Sequence, residues 1–537
     1  MKILLSYPYQ PFKEVREDKD GLDNFNLSFT RGQGIFAMPD NIPTLALHII
    51  AQNISVPTKV LEYPTLDKFR KELKKKYDFV GISFPITFYS KVLKMAKLVK
   101  EISPKTKVVV GGYGVQCFAQ EMYSTNELKE IVDYICYGEG IQFFRELLGE
   151  KTDAHIRQLF PLGGFMPFWR QKLMVKHFYL VVALGCKFGC DFCSPSAFFN
   201  KKKVYLLSPK QCYQLIKLNL EKYPNVNQCL IYDEDFLLNK KYVLELGRYL
   251  KNDEECQRRN FCYYAFASIN SISQYTVEEL IENNIAGLYL GVESCLRDLF
   301  TREKMEKRRG KELKEIFDTF NKYGIMSIAT FILGWDFHTR GNIEADIDYY
   351  VGLKPTMIQL RPLLPIPQTR LWSRLEKEDR LNDRLSWENL DLFSECMRYK
   401  NFTAKEIWEY IDLATKRVNE THGPSQMRIF ELDLNGYKNL KQSPNPFLRK
   451  RAEFLKKEAK LLYPVIFAIM KYPYNDTVYN KAKELEEEYR EMFGRPEIFD
   501  KLATILVNTL ARKTKKQREK VNYNVPQPQF REFKYNF

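Results

Sequence analysis

Cys186, Cys190 and Cys193 stand together in the string LGCKFGCDFCSP. Gaps of three and two residues let three thiolates converge on one inorganic core from a single turn. Four cysteines would close a 4Fe–4S cluster, whereas three leave one iron open to another ligand. An open iron can bind and reduce a substrate, so the spacing points to chemistry more than to structure. A zinc site would call for a fourth ligand at knuckle spacing, and no CxxC or HxxxH partner follows. Three unrelated core cysteines are the plain alternative. Gly185 and Gly189 within the loop favour the cluster, because glycine lets the backbone wrap closely around an inorganic core.

The elements that position this loop follow in order. HFYLVVALGC (177–186) reads as a buried strand feeding it. QCLIYDEDF (228–236) is a strand ending in Asp233, Glu234 and Asp235. Those carboxylates suit a metal ion, an ammonium group, or simply a solvated acidic turn. CYYAFASINSI (262–272) places Ser268 near a strand end, and AGLYLGVESCL (286–296) does the same for Gly291 and Glu293. SIATFILGWD (327–336) carries Gly334. MIQLRPLLPIPQTRLW (357–372) carries Arg361, which is either an anion ligand or a surface residue. Six strand–helix units after the loop suit a partial (β/α)6 barrel with its chemistry at the strand carboxyl ends.

Upstream, over 1–150, short apolar runs alternate with amphipathic stretches. KILLSY, TKVLEY, DFVGISF, KVVVGG and DYICYGEG read as strands, with helices at 44–53, 66–76, 90–102 and after Gly140. This alternation implies a parallel, doubly wound, Rossmann-like sheet, whose ligands sit beyond the strand carboxyl ends. Ser83, Gly111, Gly112, Gly138, Glu139 and Gly140 fall there. They either admit a bulky ligand or make tight turns. His48, inside a helix, reads as a packed residue. The polar segment 12–42 reads as a long loop over the ligand end of this sheet, either a lid or disordered.

The fold class is therefore α/β. It comprises a doubly wound domain (1–150), a linker (151–176), a partial barrel (177–375) and a mainly helical region (376–537). The 11 cysteines are odd in number and scattered over 537 residues. That argues against a disulfide framework and for a reducing cytoplasm. No apolar run approaches the roughly 20 residues of a bilayer span. The net charge of +16 suits an anionic partner or reflects base composition, and no nucleic-acid-binding module is evident. In the helical region, LLYPVIFAIMKYPY (461–474) reads as a buried helix, a hydrophobic substrate wall or an interfacial anchor allowing peripheral membrane contact. The basic, Pro-containing tail reads as mobile.

With Phe192 before its last cysteine, the loop resembles the CxxxCxφC signature of radical S-adenosylmethionine (SAM) enzymes, where φ is aromatic. The resemblance implies that the open iron chelates the SAM amino and carboxylate groups. It also implies that an electron then releases a 5′-deoxyadenosyl radical. DEDF resembles the family string DDxF, which implies Asp233 and Glu234 near the SAM amino group. GVES resembles GIES, which implies Glu293 at the ribose hydroxyls with Gly291 giving close approach. Gly334 resembles the element flanking adenine, and Phe192 and Ser268 complete the implied SAM set. Gln368 replaces the glycine of a P-x-PGT string, so that turn is expected to be made differently.

GIS, GG and GEGI resemble the cobalamin-binding domain that precedes many radical SAM domains. The implied corrin-side residues are Ser83, Gly111, Gly112, Gly138, Glu139 and Gly140. The DxHxxG string of other cobalamin proteins is absent, since YPYQPFKE follows the first strand. A lower face not ligated by His is therefore expected.

The resemblance spans roughly residues 1–375. It implies a cytoplasmic enzyme using a 4Fe–4S cluster, SAM and cobalamin to methylate an unactivated carbon. An external donor such as flavodoxin or ferredoxin would supply electrons. The substrate stays open among lipid, peptide and small-molecule precursors. Non-methylating rearrangement or ring formation and a non-catalytic iron–sulfur or cobalamin carrier are the rivals. RNA methylthiolation would want a second cysteine triad upstream, where only Cys117 and Cys136 lie.

Overall fold

The computed structural model describes residues 1–12, 27–119, 126–170, 172, 174–296, 305–382, 385–390, 394–495, 497–519 and 528–536. Among these, β1 (Ile3–Ser6), β2 (Thr58–Glu62), β3 (Phe79–Ser83), β4 (Lys107–Gly111) and β5 (Tyr134–Ile135) pair in parallel in the order 2-1-3-4-5. β1 and β2 are buried along their whole length, as the aliphatic runs of a sheet covered on both faces require. The covering helices include Leu45–Ala51, Leu66–Leu73, Tyr89–Ile102 and Gly140–Leu148. Local chemistry sets their ends. The Thr65 side chain accepts from Lys68 N at the start of Leu66–Leu73, and Gly149, at φ 69°, terminates Gly140–Leu148 in the left-handed conformation glycine tolerates. The expected alternation is present, and the helix Asn126–Ile131 is an addition to it.

A second sheet begins at β6 (Gly163–Phe165), inside the stretch expected as a linker, which lies antiparallel to β7 (Val175–Val181). The short pair β8 (Ala183–Leu184) and β9 (Val204–Tyr205) brackets the cysteine loop. β10 (Gln228–Tyr232), β11 (Cys262–Ala267), β12 (Ile285–Glu293), β13 (Met326–Leu333) and β14 (Met357–Pro362) continue in parallel from β7. Six parallel strands with helices on the outer face make the expected partial barrel.

Three expectations need correction or resolution. First, segment 12–42 is divided: Phe12 packs against Tyr63 and Phe88 beside the first sheet and the Ile42 carbonyl accepts from the Tyr63 hydroxyl at 3.3 Å, but part of the intervening chain packs on the second sheet. Phe29 and Met38 pack with Tyr179, Leu230, Tyr289 and Ile328, and Phe29 meets Tyr289 edge-on at 5.5 Å. The inner face of the partial barrel is apolar and needs a cover, and the scattered apolar residues of this segment provide it. Residues 13–26 lie outside the described residues.

Second, residues 461–471 of the run at 461–474 belong to the helix Pro446–Lys471. Tyr463, Val465, Ile466, Ala468 and Ile469 are buried there, and Tyr463 stacks on Tyr489 at 4.0 Å. It is a packed core helix, as the buried-helix reading expects. Among the described residues, no helix is long and apolar enough to cross a membrane.

Third, the basic tail 511–530 begins as helix and is followed directly by a strand. Residues 511–518 complete the helix Ile498–Arg518, and β15 (Arg531–Tyr535) pairs antiparallel with β2. Residues 520–527 lie outside the described residues. The strand forms because REFKY alternates against a buried target. The Phe533 ring sits 4.7 Å from that of His48, and Arg531 Nε lies 2.6 Å from Glu62.

Candidate active site

The cysteine loop is held from several directions. Ser196, itself buried, donates to the Cys186 carbonyl at 2.9 Å and accepts from Gly189 N at 3.1 Å. Arg370 donates to the Gly189 carbonyl and pairs with Asp191. Ser194 donates to Gln116 of the first domain. Gly185 sits at φ 78°, and a Cβ there would strike the Lys202 carbonyl at 2.3 Å, so the turn is closed to other residues.

Cys186, Cys190 and Cys193 edge a cavity of about 180 Å³ with Glu234, Asp235, Ser268, Gly291, Glu293, Lys307, Thr330 and Gln359. Burial pushes the thiols of Cys186 and Cys193 up to about 11 and about 12, and that of Cys190 up as well. Iron displaces such protons when it binds thiolate. No group of three His, Cys, Asp or Glu among the described residues is gathered to hold a metal ion. Three thiols from one loop that edge a single cavity fit a multi-iron core whose irons are ligated separately.

The three carboxylates after β10 divide. Asp233 is tied up by Lys203, at 2.6 Å, and does not line this cavity. Glu234 lines it, is held above its ordinary pKa by burial, accepts from Tyr113 of the first domain at 3.2 Å and leaves Oε2 without a hydrogen bond. Asp235 also lines it. Burial raises its pKa, and its Oδ2 is likewise unpartnered. The structure thus presents Glu234 and Asp235, rather than Asp233 and Glu234, to the cysteine cavity. Two buried, unsatisfied carboxylate oxygens beside it suit a cationic ligand.

Glu293 ends β12 at a register shift with φ 64°, an uncommon conformation for a residue with a side chain. Its carboxylate pairs with partly buried Lys307 and accepts from Thr330 at 3.3 Å. A Cβ on Gly291 would lie 2.7 Å from Glu293 Oε1 and 2.9 Å from Lys307 Nζ, so glycine makes room for the pair. Burial pulls the Lys307 pKa down, but Glu293 and the nearby Cys190 and Cys193 outweigh it, and the ammonium is held above its usual value.

Ser268 lines the cavity and caps the following short helix. Phe192 stands behind the loop, edge-on to Trp335 at 5.4 Å, with Lys307 Nζ 5.3 Å from its ring. Gly334 is not among the lining residues; a Cβ there would meet Tyr399. Arg361 shares the β14 face of Gln359 but does not line the cavity. The Gln368 turn is not remade: Gln368 adopts the left-handed conformation itself, at φ 68°. Lys307, Thr330 and Gln359 carry no motif signal. They come from separate elements that only the folded sheet assembles.

A second cavity, of about 490 Å³, lies between the two sheets. Ser83, Gly111, Gly112, Gly138, Glu139 and Gly140 all line it, facing Val181, Leu184, Tyr232 and Phe266 of the partial barrel. A Cβ on Gly112 (φ 85°) would meet Ser83 Oγ at 2.9 Å, and one on Gly140 would meet Ile50 at 2.7 Å. Glu139 spends its carboxylate capping the next helix, accepting from Ile141 N and Gln142 N at 2.6 and 2.7 Å. A large, mainly apolar chamber edged by side-chain-free strand ends fits a macrocyclic ligand with a polar tail. No histidine lines it. His48 faces away, its Nε2 3.0 Å from Glu62 and its Nδ1 2.6 Å from the Tyr535 hydroxyl. Glu234 and Phe266 line both cavities.

Comparison with known proteins agrees with this layout. Residues 180–350 match the Radical SAM superfamily, and residues 49–148 match the B12 binding domain. An uncharacterized methyltransferase of Pyrococcus horikoshii is 24% identical over 361 residues, covering 62% of this chain and 76% of that protein. The hopanoid C-2 methylase of Rhodopseudomonas palustris is 24% identical over 198 residues, 37% of each chain. Two solved structures share the fold. The radical SAM methyltransferase TsrM of Kitasatospora setae, with cobalamin and a [4Fe-4S] cluster bound, has a TM-score of 0.54 at 13% identity, covering 86% of this chain and 99% of that one. The cobalamin-dependent SAM radical enzyme OxsB, with aqua-cobalamin and SAM bound, has a TM-score of 0.51 at 12% identity, covering 96% and 80%. The chain is a cobalamin-dependent radical SAM enzyme, with a 4Fe–4S cluster, SAM and cobalamin as its cofactors.

Proposed function

We propose that this enzyme methylates an unactivated carbon of a small-molecule or lipid substrate. The observation that carries the reading is the shared wall: Glu234 and Phe266 border both the cysteine cavity and the glycine-edged chamber. When bound, the cluster supplies the electron that cleaves SAM and the corrin supplies a methyl carrier. Cys186, Cys190 and Cys193 would hold the cluster. Glu234 and Asp235 would receive the SAM ammonium, Glu293 the ribose hydroxyls, and Lys307 the carboxylate end. Ser83 and the glycines of the 111–112 and 138–140 turns would cradle the corrin tail, with no protein histidine beneath it. Residues 1–150 would form the corrin-binding unit and 177–375 the cluster and SAM unit. Phe266, Tyr232 and Phe198 would keep water from the space between.

The names of relatives support methyl transfer, and the hopanoid methylase together with a TsrM structure holding tryptophan keeps both lipid and amino-acid-like substrates in view. A flavodoxin or ferredoxin would be the electron donor. The test is anaerobic reconstitution with iron, sulfide and cobalamin, followed by SAM carrying a labelled methyl group and candidate substrates. A product heavier by one labelled methylene unit supports the proposal. SAM cleavage with a product of unchanged or lower mass would replace methylation by ring formation or rearrangement. Absence of 5′-deoxyadenosine and of label transfer would leave a cofactor carrier.

A further inference from the structure

The helix Ile498–Arg518 sits on the C-terminal bundle through Val507, Leu510, Ala511 and Thr514. Its outward face is unusual. At about 100° per residue, Ile498, Leu502, Ile505 and Leu506 fall on one side, and they are 77%, 61%, 64% and 57% exposed. Single exposed aliphatics are ordinary, but a contiguous stripe of four marks a contact surface. The same face continues into Arg512, Lys513 and Lys516, all exposed, and Lys501 flanks it. One straight face therefore runs from aliphatic side chains into a cationic cluster.

We propose that this face lies on the surface of an anionic lipid bilayer. Its aliphatic half would enter the headgroup boundary, and its cations would meet lipid phosphates. Charge complementarity decides the occupant. A second copy, paired antiparallel, would set cations against aliphatics, and paired parallel it would set cation against cation. An anionic bilayer supplies an apolar layer and negative charge together. The chain's net charge of +16 adds attraction of the same sign, and no described helix is apolar enough to insert across the membrane. The contact is thus peripheral, and it lies on this helix rather than on the buried 461–474 run.

Flotation of the whole protein with phosphatidylcholine vesicles, with and without phosphatidylglycerol, tests this. Binding is expected only with phosphatidylglycerol, and it should fall at high salt. Leu502→Glu with Ile505→Glu, both at exposed positions, is expected to weaken binding at least about tenfold with an unchanged melting temperature. Lys513→Glu with Lys516→Glu should weaken binding while leaving the aliphatic half intact. Failure to float with anionic vesicles, or variants that float like the parent, would overturn the proposal. So would a dimer in solution that the Leu502→Glu, Ile505→Glu variant dissolves, because that assigns the face to a second copy.

Discussion

The two cavities of the site are built by opposite means. The glycine-edged chamber is shaped by the absence of side chains: Gly81 within β3, Gly111 and Gly112 at the end of β4 and the glycines of the 138–140 turn, closed over by apolar residues. The cysteine cavity is smaller and is shaped by charge, with buried Asp235 and Glu293 and partly buried Glu234 and Lys307 around three thiols. A large cofactor that presents mostly apolar surface needs room and a close backbone. A charged nucleotide at an open iron needs opposing charges already in place, because burying them unpaired is costly. The first cavity should therefore be sensitive to added volume, and the second to removed charge.

The strongest break of that contrast is Cys190→Ala. It removes one of the three proposed cluster ligands, and we expect undetectable SAM cleavage and a large loss of iron in anaerobic metal analysis, while cobalamin binding persists. Next is Glu293→Gln, which leaves the partly buried Lys307 without its counter-charge. A loss of roughly 3 kcal/mol of stability is expected, with SAM affinity down at least about tenfold in equilibrium dialysis. If Glu293→Gln and parent bind SAM equally, the charged cavity does not read the nucleotide. Gly112→Val adds volume where a Cβ already collides with Ser83. Cobalamin retention, read by absorbance, should drop about tenfold with little change in iron content. A matching loss of iron would mean that the two cavities are not separable.

The smallest effect concerns the support behind the chamber. The helix Leu45–Ala51 presents Leu45, Ile49 and Ile50 to the cavity and His48 to Glu62. Burial would raise the Glu62 pKa, but the His48 hydrogen bond, together with Arg531 and Thr44, brings it down from 4.5 to about 2. A depressed carboxylate stabilises the fold above its unfolded pKa, and that contribution is lost as pH falls from about 4.5 through about 2. Glu62→Gln should accordingly cost roughly 3 kcal/mol near pH 7, by denaturant titration. The gap to the parent should narrow as the pH drops through that window. A gap independent of pH would assign the loss to packing of β15 rather than to the charge.

Where the sequence was legible, the signal was local. The cysteine loop needs only a few consecutive residues, so spacing reveals it. The glycine turns follow strands whose aliphatic runs leave little choice of partner. GVES marks Glu293 because the bulge that turns its carboxylate inward is itself local. Legibility failed where a short string serves a distant surface. Nothing in EKMEKRRG distinguishes Lys307 from its cationic neighbours until β12 brings Glu293 to it. Nothing in DEDF says that Lys203 claims Asp233 and leaves Asp235 to the cavity.

By itself the sequence determined the element order, the three-cysteine loop and the two family domains, because periodicity and short-range spacing are properties of contiguous chain. The tertiary structure alone decided that segment 27–42 covers the inner face of the partial barrel and that β15 clasps β2. It also decided that Glu234 stands at the wall between the two cavities. Each of those depends on which buried surfaces lack a partner after the sheets have formed. That is settled by long-range packing and charge pairing, which a linear string does not display.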